Sequence, residues 1–325
     1  MKILITGGAG FIGSHLSRKL VAEGNKVTVL DNLSTGSLKN ISDIQKNKNF
    51  NLIISDILDN KYVDKLVKEN DIIYHLAAVV GVKHVMENPV DTIRVNTLGS
   101  ENVLHSCSKY NKKVLIASTS EVYGKAMKYN DDPSGLNEKN DSVFGNSSIR
   151  RWAYATSKSL DEFLALAYFK EKKLPVIIVR FFNTVGPGQL GDYGMVIPIF
   201  IQKALAGDPL PIFGDGKQKR SFAYMGDVIE AITKLMDTES AVGEVFNVGN
   251  KKEITINELA ELIIAKCDSS SKIEYISYRN AYGSGFEDMS RRKPNLGKIE
   301  KFIGYNPKVE LDEIIDQVIG YYKSN

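Results

Sequence analysis

Short aliphatic runs recur through the first 180 positions: KILIT (2–6), KVTVLD (26–31), FNLIISD (50–56), DIIYHLAA (71–78), KKVLIAS (112–118) and LPVIIVRF (174–181). They are nearly continuous in Ile, Val and Leu rather than alternating, which predicts strands buried on both faces, as in a parallel sheet. Between them, residues 12–23, 60–69, 91–109 and 154–171 space their apolar residues at a helical period. Strand–helix alternation of this kind predicts an α/β fold built on a doubly wound sheet. In the segment 154–171, Leu160, Phe163, Leu164 and Ala167 make the predicted core stripe, nearly opposite Tyr154 and Lys158 on the same helix.

After about residue 181 the texture changes. Gly and Pro gather in NTVGPGQLGDYG and GDPLPIFGDG, so a smaller, loop-rich lobe is expected over 181–325 beside a first domain of 1–180. GEVFNVG (243–249) is a further strand-like run, placed to rejoin the main sheet.

Composition narrows the function classes. A net charge of +3, with 42 basic residues scattered along the chain, argues against a nucleic-acid partner. No window of 18 continuous apolar residues is present, and MKILIT is not followed by a leader-like region, so a cytoplasmic protein with no membrane span is expected. Cys107 and Cys267 are the sole cysteines, and the four histidines lack ligand spacing, so no metal site is expected.

The first strand runs directly into TGGAGFIGSHL. Gly8, Gly10 and Gly13 satisfy one dinucleotide-loop spacing, and Gly7, Gly10 and Gly13 satisfy another. Glycine permits the tight turn and the close approach of a pyrophosphate to the following helix N-terminus. Asp31 closes the second strand 18 residues past Gly13, where a carboxylate would bind ribose hydroxyls. It would repel a 2′-phosphate, and Asn32 offers no compensating cation, so NAD is expected over NADP.

The fifth strand ends in STSEVYG, which places Thr119, Ser120 and Glu121 at a carboxyl end of the sheet. Tyr154 and Lys158 follow in YATSK, four apart and therefore neighbours on a helix. An ammonium and an oxidised nicotinamide would each lower the phenol pKa and make Tyr154 a base for a substrate alcohol, with Thr119 holding the alcohol oxygen.

With these motifs, the sequence resembles the extended branch of the short-chain dehydrogenase/reductase superfamily, specifically its nucleotide-sugar epimerases, dehydratases and decarboxylases. TGGAGFIG, DNLSTG, SDI, HLAA, STSEVYG, YATSK, RFFNTVGPGQ, PLPIFGDGKQKRSF, FNVG and RRKPN occur in the family's order over nearly the whole chain. The resemblance implies a Rossmann-type doubly wound parallel sheet with a smaller C-terminal α/β substrate-binding lobe. It implies that Gly7, Gly10, Phe11, Ile12, Gly13, Asp31, Asn32, Asp56, Ile57, Ala77, Asn96, Tyr154 and Lys158 surround NAD. It makes Thr119, Ser120, Glu121, Tyr154 and Lys158 the catalytic group, and matches Asn183, Phe213, Arg220 and Arg292 to positions that hold a nucleotide-sugar. It also implies a homodimer paired through helices 91–109 and 154–171.

Enzymes of this kind oxidise the sugar at C4 and differ in the fate of the 4-ketone. DNLSTG and the general layout favour C4 epimerisation of a UDP-hexose or UDP-hexuronate, the expected reaction. TSE, RWAYATSK, GKQKR and RRKP resemble UDP-glucuronate decarboxylases instead, where the residues matching Glu121 and Arg292 support loss of the carboxylate. A 4,6-dehydratase is disfavoured by Ser120, which stands where those enzymes carry an acid, and a non-catalytic NAD-binding sensor or scaffold by the retained Tyr154, Lys158 and Thr119. Three features depart from the family pattern. Asn295 and Ser221 stand where acids are common. The interval from Thr119 to Tyr154 is long, and its polar KYNDDPSGLNEKND segment is expected to cap the sugar pocket.

Overall fold

Each aliphatic run becomes a strand in the computed structural model, which describes residues 1–129, 132–191, 195–283 and 287–324. The chain begins β1 (Lys2–Thr6), α1 (Phe11–Ala22), β2 (Lys26–Asp31), β3 (Phe50–Ile54), α2 (Asn60–Glu69), β4 (Ile72–His75), α3 (Val82–Glu87) and α4 (Pro89–Tyr110). Next come β5 (Lys113–Thr119), α5 (Trp152–Lys172), β6 (Val176–Phe181), β7 (Thr184–Val185), α6 (Val196–Ala206), β8 (Leu210–Phe213), β9 (Lys219–Ser221) and β10 (Ala223–Tyr224). It ends with α7 (Met225–Asp237), β11 (Val245–Val248), β12 (Glu253–Thr255), α8 (Ile256–Lys266), β13 (Ile273–Ile276), α9 (Tyr278–Tyr282), β14 (Arg291–Arg292), α10 (Gly297–Ile303) and α11 (Leu311–Ser324).

Seven strands form one parallel sheet in the order β11-β6-β5-β4-β1-β2-β3. Both faces are covered, which explains the unbroken apolar runs. Ile3 and Ile5 pack with Leu16, Leu20, Val228 and Ile232 on one side, while Leu4 packs with Val63, Val67, Val103 and Leu104 on the other. The winding direction reverses between β1 and β4, and at such a switch point a crevice opens beyond the carboxyl ends of the strands. β11 pairs with β6 from Val245↔Ile178 to Val248↔Phe181, so a segment late in the chain completes the sheet. A separate core built on α6, α8 and α11, with Ile197, Phe200, Leu259 and Ile315 fully enclosed, supports the short β12-β9-β14 and β13-β8 sheets beside the crevice.

The helix α5 departs from expectation. Leu160 and Phe163 are 53% and 72% exposed, and the buried side carries Ser157, Lys158, Asp161, Glu162 and Ala165. The sequence pattern separates the two faces but assigns the apolar one inward. The inward face is instead polar because its charges find partners there: Lys158 with Asp161, and Glu162 with Arg180 of β6. Among the described residues no helix is long and apolar enough to cross a membrane.

Candidate active site

β1 ends at Thr6 and the chain turns at Gly7 with φ +72°. A Cβ on Gly7 would stand 2.7 Å from the Ala77 nitrogen, and one on Gly13 would stand 2.2 Å from the Gly7 carbonyl oxygen. No other residue fits where the ends of β1 and β4 crowd the start of α1. Gly7, Gly10 and Gly13, with Phe11 and Ile12, line a cavity of about 660 Å³, whereas Gly8 is turned towards Val29. Asp31 is 8% exposed at the end of β2; its Oδ2 accepts from the Ala9 N–H at 2.9 Å and its Oδ1 from the Leu33 N–H at 2.8 Å. Burial raises its carboxyl against the pull of those two bonds. Asn32 donates to Asp56 at 3.1 Å, and both line the cavity with Ile57 and Ala77. Asn96 stands behind that wall: its amide bonds Val79 on one side and Ser157 on the other, tying α4 to α5.

β5 delivers Thr119, Ser120 and Glu121 to the same cavity, and α5 delivers Tyr154 and Lys158. The Thr119 hydroxyl is a hydrogen-bond partner of the Tyr154 phenol. Burial and the Glu121 charge push that phenol above its ordinary value, against the Thr119 bond and Arg292. The Lys158 ammonium, expected to lower the phenol, is bonded to Asp161 at 2.7 Å, and the net effect of these surroundings is to raise it.

Across the crevice three arginines converge on two carboxylates. Arg292 lies 2.7 Å from Glu121, Arg151 lies 3.2 Å from Glu121 and 3.3 Å from Asp288, and Arg220 lies 3.0 Å from Asp288. Burial would raise the Glu121 carboxyl, but Arg151 and Arg292 outweigh it and hold it below its ordinary range. Arg220 and Arg292 are direct neighbours across the β9–β14 pair, and burial together with Arg292 lowers the Arg220 pKa. Phe213, at the end of β8, and Asn183 also line the cavity; the Asn183 amide donates to the Ser221 carbonyl at 2.9 Å.

Neither Ser221 nor Asn295 lines the cavity; Asn295 instead accepts from the Gly297 N–H at the start of α10. The expected pocket cap is not where the structure puts the long interval. Residues 130 and 131 lie outside the described residues. Among the described ones, Leu136 pairs with the 293–295 segment through the Lys293 carbonyl and the Asn295 N–H, and Lys125 bonds Glu287 at 2.6 Å. The interval thus braces the strand that carries Arg292.

Arg151 and Asp288 were not among the residues picked out by sequence. Arg151 had a usable signal, since it precedes Tyr154 by three residues and so shares its helix face. Asp288 had none, because its role depends on β14 lying beside β9.

A profile of the NAD dependent epimerase/dehydratase family matches residues 3–249. A UDP-N-acetyl-alpha-D-glucosaminuronate decarboxylase from Bacillus cytotoxicus is 41% identical, over 99% of this chain and 98% of its own. UDP-glucuronic acid decarboxylase 1 from Xenopus tropicalis is 36% identical, over 99% of this chain and 72% of its own. Among solved structures, a mutant UDP-glucuronic acid 4-epimerase from Bacillus cereus, in complex with UDP-4-deoxy-4-fluoro-glucuronic acid and NAD, superposes with a TM-score of 0.88. It is 28% identical, over 100% of this chain and 99% of its own. The expectation of C4 epimerisation is thus not favoured: these sequence relatives are decarboxylases, and the epimerase is a structural neighbour of lower identity.

Proposed function

The chain belongs to the NAD dependent epimerase/dehydratase family, and on that footing we propose that it decarboxylates a UDP-linked hexuronate, either UDP-N-acetylglucosaminuronate or UDP-glucuronate, through a 4-keto sugar. The observation that carries this reading is Glu121 seated between Arg151 and Arg292, two residues past Thr119 and electrostatically coupled to Tyr154. A neutral hexose presents only its diphosphate to cations. A hexuronate brings a second anionic end, and the guanidinium groups beside Glu121 are suited to hold it bidentately.

The glycine loop Gly7–Gly13, Asp31, Asp56 and Lys158 would hold NAD, which when bound supplies the hydride acceptor at C4 and returns the hydride at the end. Tyr154 takes the proton of the 4-hydroxyl while Thr119 fixes that oxygen. Once C4 is a ketone, the C6 carboxylate is β to a carbonyl. The C5–C6 bond can then break, leaving its electron pair as an enolate over C5, C4 and O4, with CO₂ released. The phenol of Tyr154, now carrying the proton, hydrogen-bonds O4, and C5 takes a proton from water. Arg151 and Arg292 orient the departing carboxylate. Glu121, kept ionised by the same arginines, sets a like charge beside it and so disfavours the ionised group relative to neutral CO₂. Arg220, Asn183 and Phe213 would take the nucleoside diphosphate.

Incubation with UDP-N-acetylglucosaminuronate, UDP-glucuronate and UDP-glucose tests the reading by mass and proton NMR. A uronate should lose CO₂ while UDP-glucose stays unchanged. Unchanged mass with inverted C4 would replace this reading by epimerisation, and loss of water by dehydration.

A homodimer belongs to the same proposal. Leu160 and Phe163 on α5, with Ile93 and Leu98 on the adjoining α4, leave an apolar face open at 47% to 72% exposure. A second copy of the chain would cover that face. Phe163→Asp is expected to shift the protein to monomers in sedimentation-velocity runs, and a wild type already monomeric at micromolar concentration would refute the dimer.

A further inference from the structure

The buried side of α5 holds a charge pair that the proposed reaction leaves without a complete role. Asp161 lies one helical turn beyond Lys158, and its Oδ2 accepts from the Lys158 Nζ at 2.7 Å; the two side chains are 0% and 2% exposed. The other oxygen, Oδ1, is closed off from solvent with no partner at full hydrogen-bond geometry among the described residues, and the Ser100 hydroxyl of α4 is the group placed to donate to the carboxylate. Ser100 Oγ stands 3.1 Å from His75 Nε2, His75 Nδ1 stands 2.8 Å from Thr6 Oγ1, and Thr6 Oγ1 accepts from the Ala77 N–H at 3.3 Å.

One arrangement of protons satisfies this whole chain. Ala77 donates to Thr6, Thr6 to His75 Nδ1, His75 Nε2–H to Ser100, and Ser100 to Asp161. It requires a neutral imidazole, and burial with the Lys158 charge pushes His75 down to about 3. Thr6, His75 and Ser100 are themselves enclosed, so water cannot stand in for any member. Enclosing an ion pair gains little stability over an apolar pair of the same size, because desolvation offsets the attraction. A pair built this deep, beside the base, is better explained by where it fixes the ammonium.

We propose that Asp161 is a positioning residue for Tyr154 and Lys158: a buried counter-charge, tied through Ser100 and His75 to the ends of β1 and β4, that holds the Lys158 ammonium in place on the phenol's side of α5. The inference rests on the acid–base role proposed for that pair. The charged groups around the phenol are Glu121 beyond β5, Asp161 and Lys158 on α5, and Arg292 on β14. Around Asp161 they are Lys158 and Glu162 on α5, with neutral His75 on β4. The Asp161 charge raises the phenol pKa. Removing it without changing shape leaves the Lys158 charge uncompensated, and the phenol should then ionise at lower pH.

The test titrates NAD-loaded Asp161→Asn by phenolate ultraviolet absorbance, with the same titration in a Tyr154→Phe background subtracted. Tyr154 is expected to ionise about one pH unit lower than in the wild type, and Asp161→Glu to return it towards the wild-type value. A titration left where it was, or a shift to higher pH, overturns the proposal. Should Asp161→Asn not fold, Ser100→Ala keeps every charge and cuts only the anchor. NAD should then bind about fivefold more weakly, the worth of one hydrogen bond, and unchanged affinity would overturn the proposal. Neither measurement contains sugar, so a protein that titrates as expected but releases no CO₂ would refute the reaction and leave this inference standing.

Discussion

Tyr154→Phe is expected to lower turnover of the uronate by about a hundred- to ten-thousandfold, the range supplied by a positioned acid–base group, while NAD stays bound. The substitution removes one oxygen and leaves the ring in place on α5. The proposed cofactor contacts lie mostly elsewhere, in the glycine loop, Asp31 and Asp56, so calorimetric NAD affinity should change little. The loss should fall on kcat rather than KM, because in the proposed reaction the phenol is used when the 4-hydroxyl gives up its proton and not when the nucleotide docks. Burial and Glu121 raise the phenol. The wild type should therefore gain activity with rising pH through its alkaline range, and the variant should lose that dependence. Near-normal turnover in Tyr154→Phe would remove the base from the mechanism.

Arg180→Ala is expected to cost about 3–5 kcal/mol of stability, the usual consequence of removing one partner from an enclosed ion pair. Arg180 meets Glu162 through Nε at 2.9 Å and through Nη2 at 2.6 Å, and its guanidinium lies 4.6 Å from the centre of the Tyr123 ring. The Ser118 hydroxyl donates to the same Glu162 carboxylate. Without Arg180 that carboxylate keeps, among the described residues, only the Ser118 bond in a dry setting. Domains are typically stable by about 5–15 kcal/mol, so the loss is a large share of the whole. Urea midpoints at constant m-value measure it. Arg180→Met combined with Glu162→Leu should recover most of the stability, since apolar replacements remove both charges together. Failure of the double variant to recover would mean that the pair does more than neutralise itself. Thr119 follows Ser118 on β5, so the single variant should also lose activity beyond its unfolded fraction.

The parallel sheet could be read from the aliphatic runs because strands covered on both faces need apolar side chains at every position. The glycine loop and Asp31 could be read because their spacing is local: a turn, a helix start and one strand separate Gly7 from Asp31. The pairing of Tyr154 with Lys158 on one face followed from helix geometry alone. The orientation of α5 did not, because periodicity identifies two faces but not which of them meets the interior. Leu160 and Phe163 carried the apolar signal, while the inward side holds charges whose partners, Arg180 and Ser100, come from other elements.

The sequence by itself therefore determined the fold, the glycine loop that lines the cavity and the placing of Tyr154 and Lys158 on one helix, since each depends on contacts between residues close in the chain or on burial repeated along it. Only the tertiary structure decided that Arg151, Arg220 and Arg292 share Glu121 and Asp288, that Asn96 stands behind the cavity wall, and that Asp161 takes the Lys158 ammonium. Those outcomes are set by charges that meet across strands and helices far apart in sequence, where the low dielectric of the interior makes each pairing strong and no local pattern encodes it.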